Sequence, residues 1–252
     1  MKQKAIYTVT AFSLLFFSIT SHSATTYGIG VATGTQNITW QKNKSAEVSF
    51  TPLILNFSAS SRQFYGLVDF QLSFSNSSDK SWDVFDSGLT PSSSQAANDF
   101  NKVNYIFGYR VNSNFSMFAG YHHEGVSGNY NDSSNFVHKV NFKNDGLIYG
   151  GTINFPFHVG KVPAGFLFSA SFGSLNSEFQ VENGGTYSGN DKYNNVGAKL
   201  TFIITENLAL DLGYSSTSSE ASFDSITVFG VPYGTTMNLD VSGYILQGTY
   251  IF

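Results

Sequence analysis

The chain has 252 residues, of which only 12% are charged, and its 13 Lys and Arg against 17 Asp and Glu give a formal net charge of −4. No basic face for nucleic acid can be built from that balance, since phosphate binding needs clustered positive charge. The absence of cysteine excludes disulfides, thiolate metal sites and lipid attachment at a thiol.

Lys2 and Lys4 precede an apolar run from Ala5 to about Ile19, followed by the small-residue stretch SHSA. This pattern predicts a secretory signal peptide over residues 1–23, because the run is too short for a membrane helix and ends at a cleavage-like site. Residues 24–252 then form one domain with 11 basic and 17 acidic residues, a net of −6. The chain's 25 Phe, 14 Tyr and 24 Gly stand among many Ser and Asn, a mixture that favours strands and turns over helices.

Period-two alternation predicts ten strands. The first two, roughly 25–39 and 44–58, are irregular, and Pro52 interrupts the ladder of the second. Phe64, Val68, Phe70, Leu72 and Phe74 then alternate with Asp69, Gln71 and Ser73, and Val103, Tyr105, Phe107, Tyr109 and Val111 with Asn104, Gly108 and Arg110. Apolar rows follow at Phe115 to Tyr121, Leu147 to Phe155 and Phe166 to Phe172. Val196 to Ile204 alternate with Asn195, Gly197, Lys199 and Thr201, and Leu208 to Tyr214 with Ala209, Asp211 and Gly213. The last row is Tyr244, Leu246, Gly248, Tyr250 and Phe252. Eight strands plus an irregular N-terminal segment is the alternative count.

Short connections (ASSR, NSN, HVGKVP, TEN) alternate with long polar ones around 76–99, 124–144, 178–192 and 223–237, as in an up-and-down antiparallel meander. With ten strands, both termini return to the short-turn side. One face of each strand is greasy and the other small, polar or charged, and no further elements are available to cover the greasy one. A bilayer covers it, provided that the sheet closes so that no edge is left unpaired in hydrocarbon. The expected fold class is therefore all-β, a transmembrane up-and-down antiparallel β-barrel. Aromatics near the strand ends would form two interfacial girdles, Tyr27, Phe64, Phe115, Phe157, Phe202 and Phe252 on the turn side, and Phe74, Tyr105, Tyr121, Tyr149, Tyr193, Tyr214 and Tyr244 on the loop side.

On these alternating rows, the whole of residues 24–252 resembles the small bacterial outer-membrane β-barrel proteins. The resemblance implies residence in the outer membrane of a Gram-negative bacterium, in contact with lipid and lipopolysaccharide. It also implies that Tyr244, Leu246, Tyr250 and Phe252, with Gly248 the weak position, form the C-terminal signal read by the outer-membrane assembly machinery. It does not fix an activity, because such barrels host pores, adhesins, enzymes and anchors.

Function should then lie on the inward face or in the loops. Asp69, Arg110, Lys199 and Asp211 point inward on this register, with 199 roughly opposite 212 across the turn at Thr205 to Asn207, so that Lys199 and Asp211 can meet diagonally. They would either fill a narrow lumen with ion pairs or set the selectivity of a narrow porin-like channel for small solutes. The His-x-Ser pair of barrel lipid-modifying enzymes and the Asp-Asp and Asp-His pairs of barrel proteases are absent after residue 23, so an enzyme ranks third. "HHE" at His122 to Glu124 cannot converge on a metal, since neighbouring strand residues face opposite ways, and no cofactor is implied. "GIGVATG", Gly28 to Gly34, has no crossover helix after it and reads as glycine facing a crowded interior. Asp79, Asp83, Asp86 and Asp99 make the first long loop acidic. The last long loop carries an apolar patch, Ile226, Val228, Phe229, Val231 and Tyr233, which would cap the mouth, continue as a hairpin or meet an extracellular ligand.

Overall fold

A computed structural model describes residues 25–41, 45–75, 99–131, 137–225, 227–228, 231–232 and 236–252. Its strands are β1 (Thr26–Gln41), β2 (Ser45–Ser60), β3 (Phe64–Ser75), β4 (Asp99–Arg110), β5 (Phe115–Asn131), β6 (Val137–Val159), β7 (Val162–Val181), β8 (Gly185–Thr205) and β9 (Leu208–Phe223). A two-residue hairpin, β10 (Thr227–Val228) and β11 (Val231–Pro232), and the closing strand β12 (Thr236–Ile251) follow.

Ten strands, β1 to β9 and β12, form a closed antiparallel barrel in which each pairs with its sequence neighbours and β1 pairs with β12. The count of ten, rather than eight, follows because β1 and β2 pair along nearly their whole length. Their register skips only Gly34 and Thr35, opposite Thr51 and Pro52, where proline has no N–H to give. The two chain ends meet where the barrel closes: Tyr27 N donates to Phe252 O at 3.1 Å and Phe252 N donates to Tyr27 O at 3.0 Å.

Turn chemistry explains the short connections. Asn112 Oδ1 accepts from the backbone N–H groups of Asn114 (2.9 Å) and Phe115 (2.8 Å), closing the β4–β5 turn. Gly160 supplies a φ of 61° between β6 and β7.

The long polar segments correct the sequence reading. Residues 124–131 and 137–144, expected to be loop, are strand, as are 178–181, 185–192 and 236–237. β6 has 23 residues, and at a rise of about 3.3 Å per residue and a tilt of about 40° it spans on the order of 60 Å, against a hydrocarbon-facing band of about 25 Å. The barrel wall therefore runs on well beyond any bilayer.

Its two halves have opposite polarity patterns. In the half near the short turns, the outward positions are apolar and exposed: Ile29, Phe57, Phe107, Met117, Leu147, Phe168, Leu212 and Leu246 are all more than a third accessible. In the loop half, the apolar side chains turn inward and the outward ones become polar. On β7, Phe168 and Phe172 face out, whereas Leu175, Phe179 and Val181 are buried at 1–2% exposure, with Ser174, Asn176, Glu178 and Gln180 now outside. β9 and β12 change in the same way.

Candidate functional site

The exposed apolar belt is the first functional surface. Aromatic pairs edge it on the turn side, with Tyr27 and Phe252 at 6.2 Å and Phe64 and Tyr109 at 5.3 Å between ring centroids. On the loop side Tyr149 meets Phe172 at 5.5 Å and Tyr214 meets Tyr244 at 4.9 Å. Eight residue steps separate Tyr244 from Phe252, which at the same rise and tilt is about 20 Å, close to the height of a hydrocarbon-facing band. A closed ladder with such a belt is a wall built to cross a bilayer. Among the described side chains one expected girdle residue departs: Tyr193 faces the lumen at 3% exposure, because the inversion of polarity occurs just below it on β8; the Phe74 side chain lies outside those described.

Inside the belt lies a cavity of about 800 Å³. It reaches the short turns at Asn112, Asn114 and Pro163 and ends upward at Lys102 and Tyr193. Asp69, Arg110, Lys199 and Asp211 all line it, contributed by β3, β4, β8 and β9. Lys199 Nζ donates to Asp211 Oδ2 at 3.1 Å, and Thr201 Oγ1 donates to Asp211 Oδ1 at 2.6 Å. The cross-strand register corrects the expected one by a single residue: Lys199 stands opposite Gly213, and Asp211 opposite Thr201. Asp69 is faced by Lys199 and by Lys102. Arg110 is held differently, donating from Nη1 to Ser61 O at 2.5 Å and lying 5.7 Å from the Tyr65 ring centroid. The inward face is less polar than the sequence suggested, since Ile54, Leu67, Ile106, Phe118, Leu167 and Ile245 also line this space.

Above the cavity a polar layer crosses the lumen. His122 and Glu124 both face inward from β5, at 0% and 1% exposure, with His122 Nε2 3.7 Å from Glu124 Oε2; His123 points outward, as strand alternation requires. His122 Nδ1 lies 2.7 Å from Asn104 Oδ1, and its ring packs 4.5 Å from that of Tyr193. Lys102 reaches the Tyr193 hydroxyl and faces Glu124. A second chain runs through Asn144, which accepts from Ser177 Oγ at 2.8 Å and donates to Ser219 Oγ at 2.9 Å, and Ser219 in turn donates to Asp191. Sequence reasoning missed this layer. Six strands, β4 to β9, assemble it, and no local motif joins Lys102, Asp191 and Ser219. Among the described residues no three His, Cys, Asp or Glu converge on a metal position.

An apolar core lies in the lumen above that layer. Ile38, Phe50, Phe100, Phe142, Phe179 and Leu239 are buried to 3% exposure or less and belong to one cluster, in which the rings of Phe50 and Phe100 stand 6.4 Å apart. Side chains from β1, β2, β4, β6, β7 and β12 thus meet across the full width of the barrel.

The remaining candidates are quickly placed. Tyr244, Leu246, Gly248, Tyr250 and Phe252 all point outward from β12 and the chain end into the belt. Of the loop patch, Val228 and Val231 pair across the β10–β11 hairpin, while Ile226, Phe229 and Tyr233 lie outside the described residues, as do Asp79, Asp83, Asp86 and residues 1–23. Asp99 opens β4 and is exposed. Gly28, Gly30 and Gly34 face the interior of β1, and a Cβ at Gly34 would lie within 1.9 Å of the Tyr244 carbonyl oxygen.

No protein-family model and no curated protein sequence matches the chain. Among solved structures, the translocator domain of the autotransporter NalP from Neisseria meningitidis is similar at 10% identity, covering 98% of this chain and 95% of that one, with a TM-score of 0.49. Neisserial surface protein A is similar at 11% identity, over 90% and 98% of the two chains, with a TM-score of 0.39. The attachment invasion locus protein Ail of Yersinia pestis, solved with the heparin analogue sucrose octasulfate, is similar at 12% identity, over 90% and 99%, with a TM-score of 0.35. Likeness at this level carries no information on activity.

Proposed function

We propose that the protein is an integral outer-membrane barrel with a structural or surface-interaction role, whose lumen is closed and whose working surface is the wall and loops that stand clear of the bilayer. The observation that carries this reading is the apolar core, which fills the loop half of the lumen from wall to wall. Hydrocarbon-like packing at interior density leaves no water path for ions. The polar layer then supports the core from beneath, and the Lys199–Asp211 pair braces the wall of the cavity below it rather than selecting solutes. In the same reading residues 1–23 are removed on export, and Tyr244, Leu246, Tyr250 and Phe252 are recognised by the outer-membrane assembly machinery.

Polar outward side chains above the belt suit contact with lipopolysaccharide headgroups and with whatever lies outside the cell. Lys143, half exposed and 3.5 Å from Glu178, stands there on β6. Burial of the clustered His122, Glu124 and Asp191, each at 1% exposure or less, supports a non-enzymatic role.

The test is single-channel recording of the refolded protein in a planar bilayer across a salt gradient. A folded, silent barrel is the expected result. Discrete ion-selective openings would overturn the closed-lumen reading in favour of a narrow channel governed by Asp69, Arg110, Lys199 and Asp211.

A further inference from the structure

The half of the lumen below the polar layer is an open cavity. Its volume of about 800 Å³ lies within the range of pockets for drug-sized ligands, roughly 300–1,000 Å³. Its lining sets aliphatic and aromatic side chains among many Ser, Thr, Asn and Gln and five charged residues, so it offers a ligand apolar surface and polar partners together. Ile54, Leu67, Ile106, Phe118, Leu167 and Ile245 project from six different strands into the same space. Water fills such a volume with fewer hydrogen bonds than it makes in bulk, so an apolar body displaces it favourably.

The charges set the sign of the ligand. Three cations, Lys102, Arg110 and Lys199, and two carboxylates, Asp69 and Asp211, line the cavity, an excess of one positive charge. Lys199 is matched by Asp211 at 3.1 Å, and Lys102 is held by the Tyr193 hydroxyl and faces Glu124 and Asp69 at the closed end. With Glu124 counted at the closed end the charges balance, and Arg110 is the cation that no carboxylate among the described residues pairs with. Its guanidinium has five N–H donors, and among the described residues it has one acceptor, Ser61 O, together with the Tyr65 ring. The ring and the carbonyl fix the plane of the guanidinium beside the turns, where the cavity opens. A braced guanidinium with donors to spare is the group best suited to grip a carboxylate by two parallel hydrogen bonds.

We infer that the turn-side vestibule is a binding site for a small amphipathic monocarboxylate, its anionic group held by Arg110 at the mouth and its apolar body lying against the aliphatic wall. The polar layer and the core above it make the vestibule a dead end, so it takes up its ligand from the turn side, the periplasmic side in the orientation proposed above, and returns it there.

The test uses the refolded full barrel in phosphatidylcholine nanodiscs, titrated with 4-fluorobenzoate and followed by fluorine NMR line broadening against empty nanodiscs. Saturable broadening in the roughly millimolar range or tighter is expected. The uncharged isostere 4-fluorobenzamide and the variant Arg110→Gln should each weaken binding by about tenfold or more, the scale of a charge-assisted bidentate contact. Arg110→Lys should recover part of the loss, and Ser169→Trp, which fills the cavity from β7, should abolish binding with Arg110 intact. Broadening no greater than in empty nanodiscs, equal affinity for acid and amide, or an unchanged affinity in folded Arg110→Gln would each overturn the inference. Should Arg110→Gln fail to fold, the comparison of acid with amide on the unaltered barrel decides alone. Conductance is read separately: openings in the planar bilayer would reject the closed lumen without touching the vestibule, and absence of binding would reject the vestibule without opening the lumen.

Discussion

Phe100 is the residue on which the closed lumen can be tested most sharply. It is 1% exposed, points inward from the second position of β4 and packs against Phe50 on β2. Full burial of a side chain of this size contributes about 1.5–3 kcal/mol by transfer alone. Truncation to alanine also leaves a ring-sized hole in a core whose other members are fixed to seven strands. Phe100→Ala should therefore cost about 3–5 kcal/mol, a large part of a typical net stability of about 5–15 kcal/mol. With a urea dependence of about 2 kcal/mol per molar, the midpoint of unfolding in lipid vesicles falls by about 1.5–2.5 M. Conductance should stay silent, because the layer of Lys102, His122, Glu124 and Tyr193 still spans the lumen beneath the hole. The control is Phe107→Ala on the same strand, whose side chain is 46% exposed and faces the belt. That change removes contact with acyl chains and leaves no internal cavity, so its effect should be clearly smaller. A midpoint for Phe100→Ala within about 0.3 M of the unaltered barrel, or equal shifts in the two variants, would show that no packed core occupies the loop half.

Three further outcomes follow from particular contacts. Lys199→Met removes the partner of Asp211, which is 4% exposed but keeps Thr201 at 2.6 Å. Since Lys199 is itself a third exposed to the cavity, a loss of about 1–2 kcal/mol is expected in urea unfolding, and no change at all would remove the pair from any structural role. Gly34→Ala should prevent or severely weaken closure between β1 and β12, because the new Cβ would meet the Tyr244 carbonyl, whereas Gly248→Ala, with nothing within 4 Å, should stay within about 0.5 kcal/mol. Heat-dependent gel mobility reads both, and equal mobility behaviour would refute the close approach. Deleting Phe252 breaks two backbone bonds to Tyr27 and should cost only about 1–2 kcal/mol on refolding into micelles. Insertion in cells should nevertheless fall far more than that loss explains; matching declines would mean that the terminal residue acts by stability and not as a sorting signal.

The belt half of the barrel was legible because hydrocarbon imposes one rule on every strand that crosses it. Phe166, Phe168, Ala170 and Phe172 announce β7 without help from the rest of the chain. The loop half was missed for a physical reason. Beyond Phe172 the outward neighbours are Ser174, Asn176, Glu178 and Gln180, and a search for outward apolar residues reads them as the start of a polar loop. The alternation continues through Leu175, Phe179 and Val181 in the opposite phase, interrupted only by the inward Ser177. A reading that tracked phase as well as period would have carried β7, β9 and β12 to their full lengths. The inward charges Asp69, Arg110, Lys199 and Asp211 were visible because each sits opposite a strong apolar row. The layer of Lys102, His122, Glu124, Asp191 and Tyr193 was not, because its members are separated by up to 91 positions in sequence and only closure of the barrel sets them side by side.

That change of phase links the belt, the core and the proposed role. A strand of about 10 residues would suffice to cross the bilayer, yet β6, β7 and β8 have 23, 20 and 21 residues. Beyond the bilayer the wall meets water, so its outer face must be polar, and a barrel with both faces polar would have nothing to hold its upper strands together. Turning the apolar side chains inward solves this in the manner of a soluble barrel, and in this ten-stranded wall those side chains meet in one cluster. The closure proposed above is then a consequence of raising the wall. A pore needs no such elevation and would be blocked by it, whereas loops that must stand clear of a bed of lipid headgroups need a rigid, self-supporting wall of this kind.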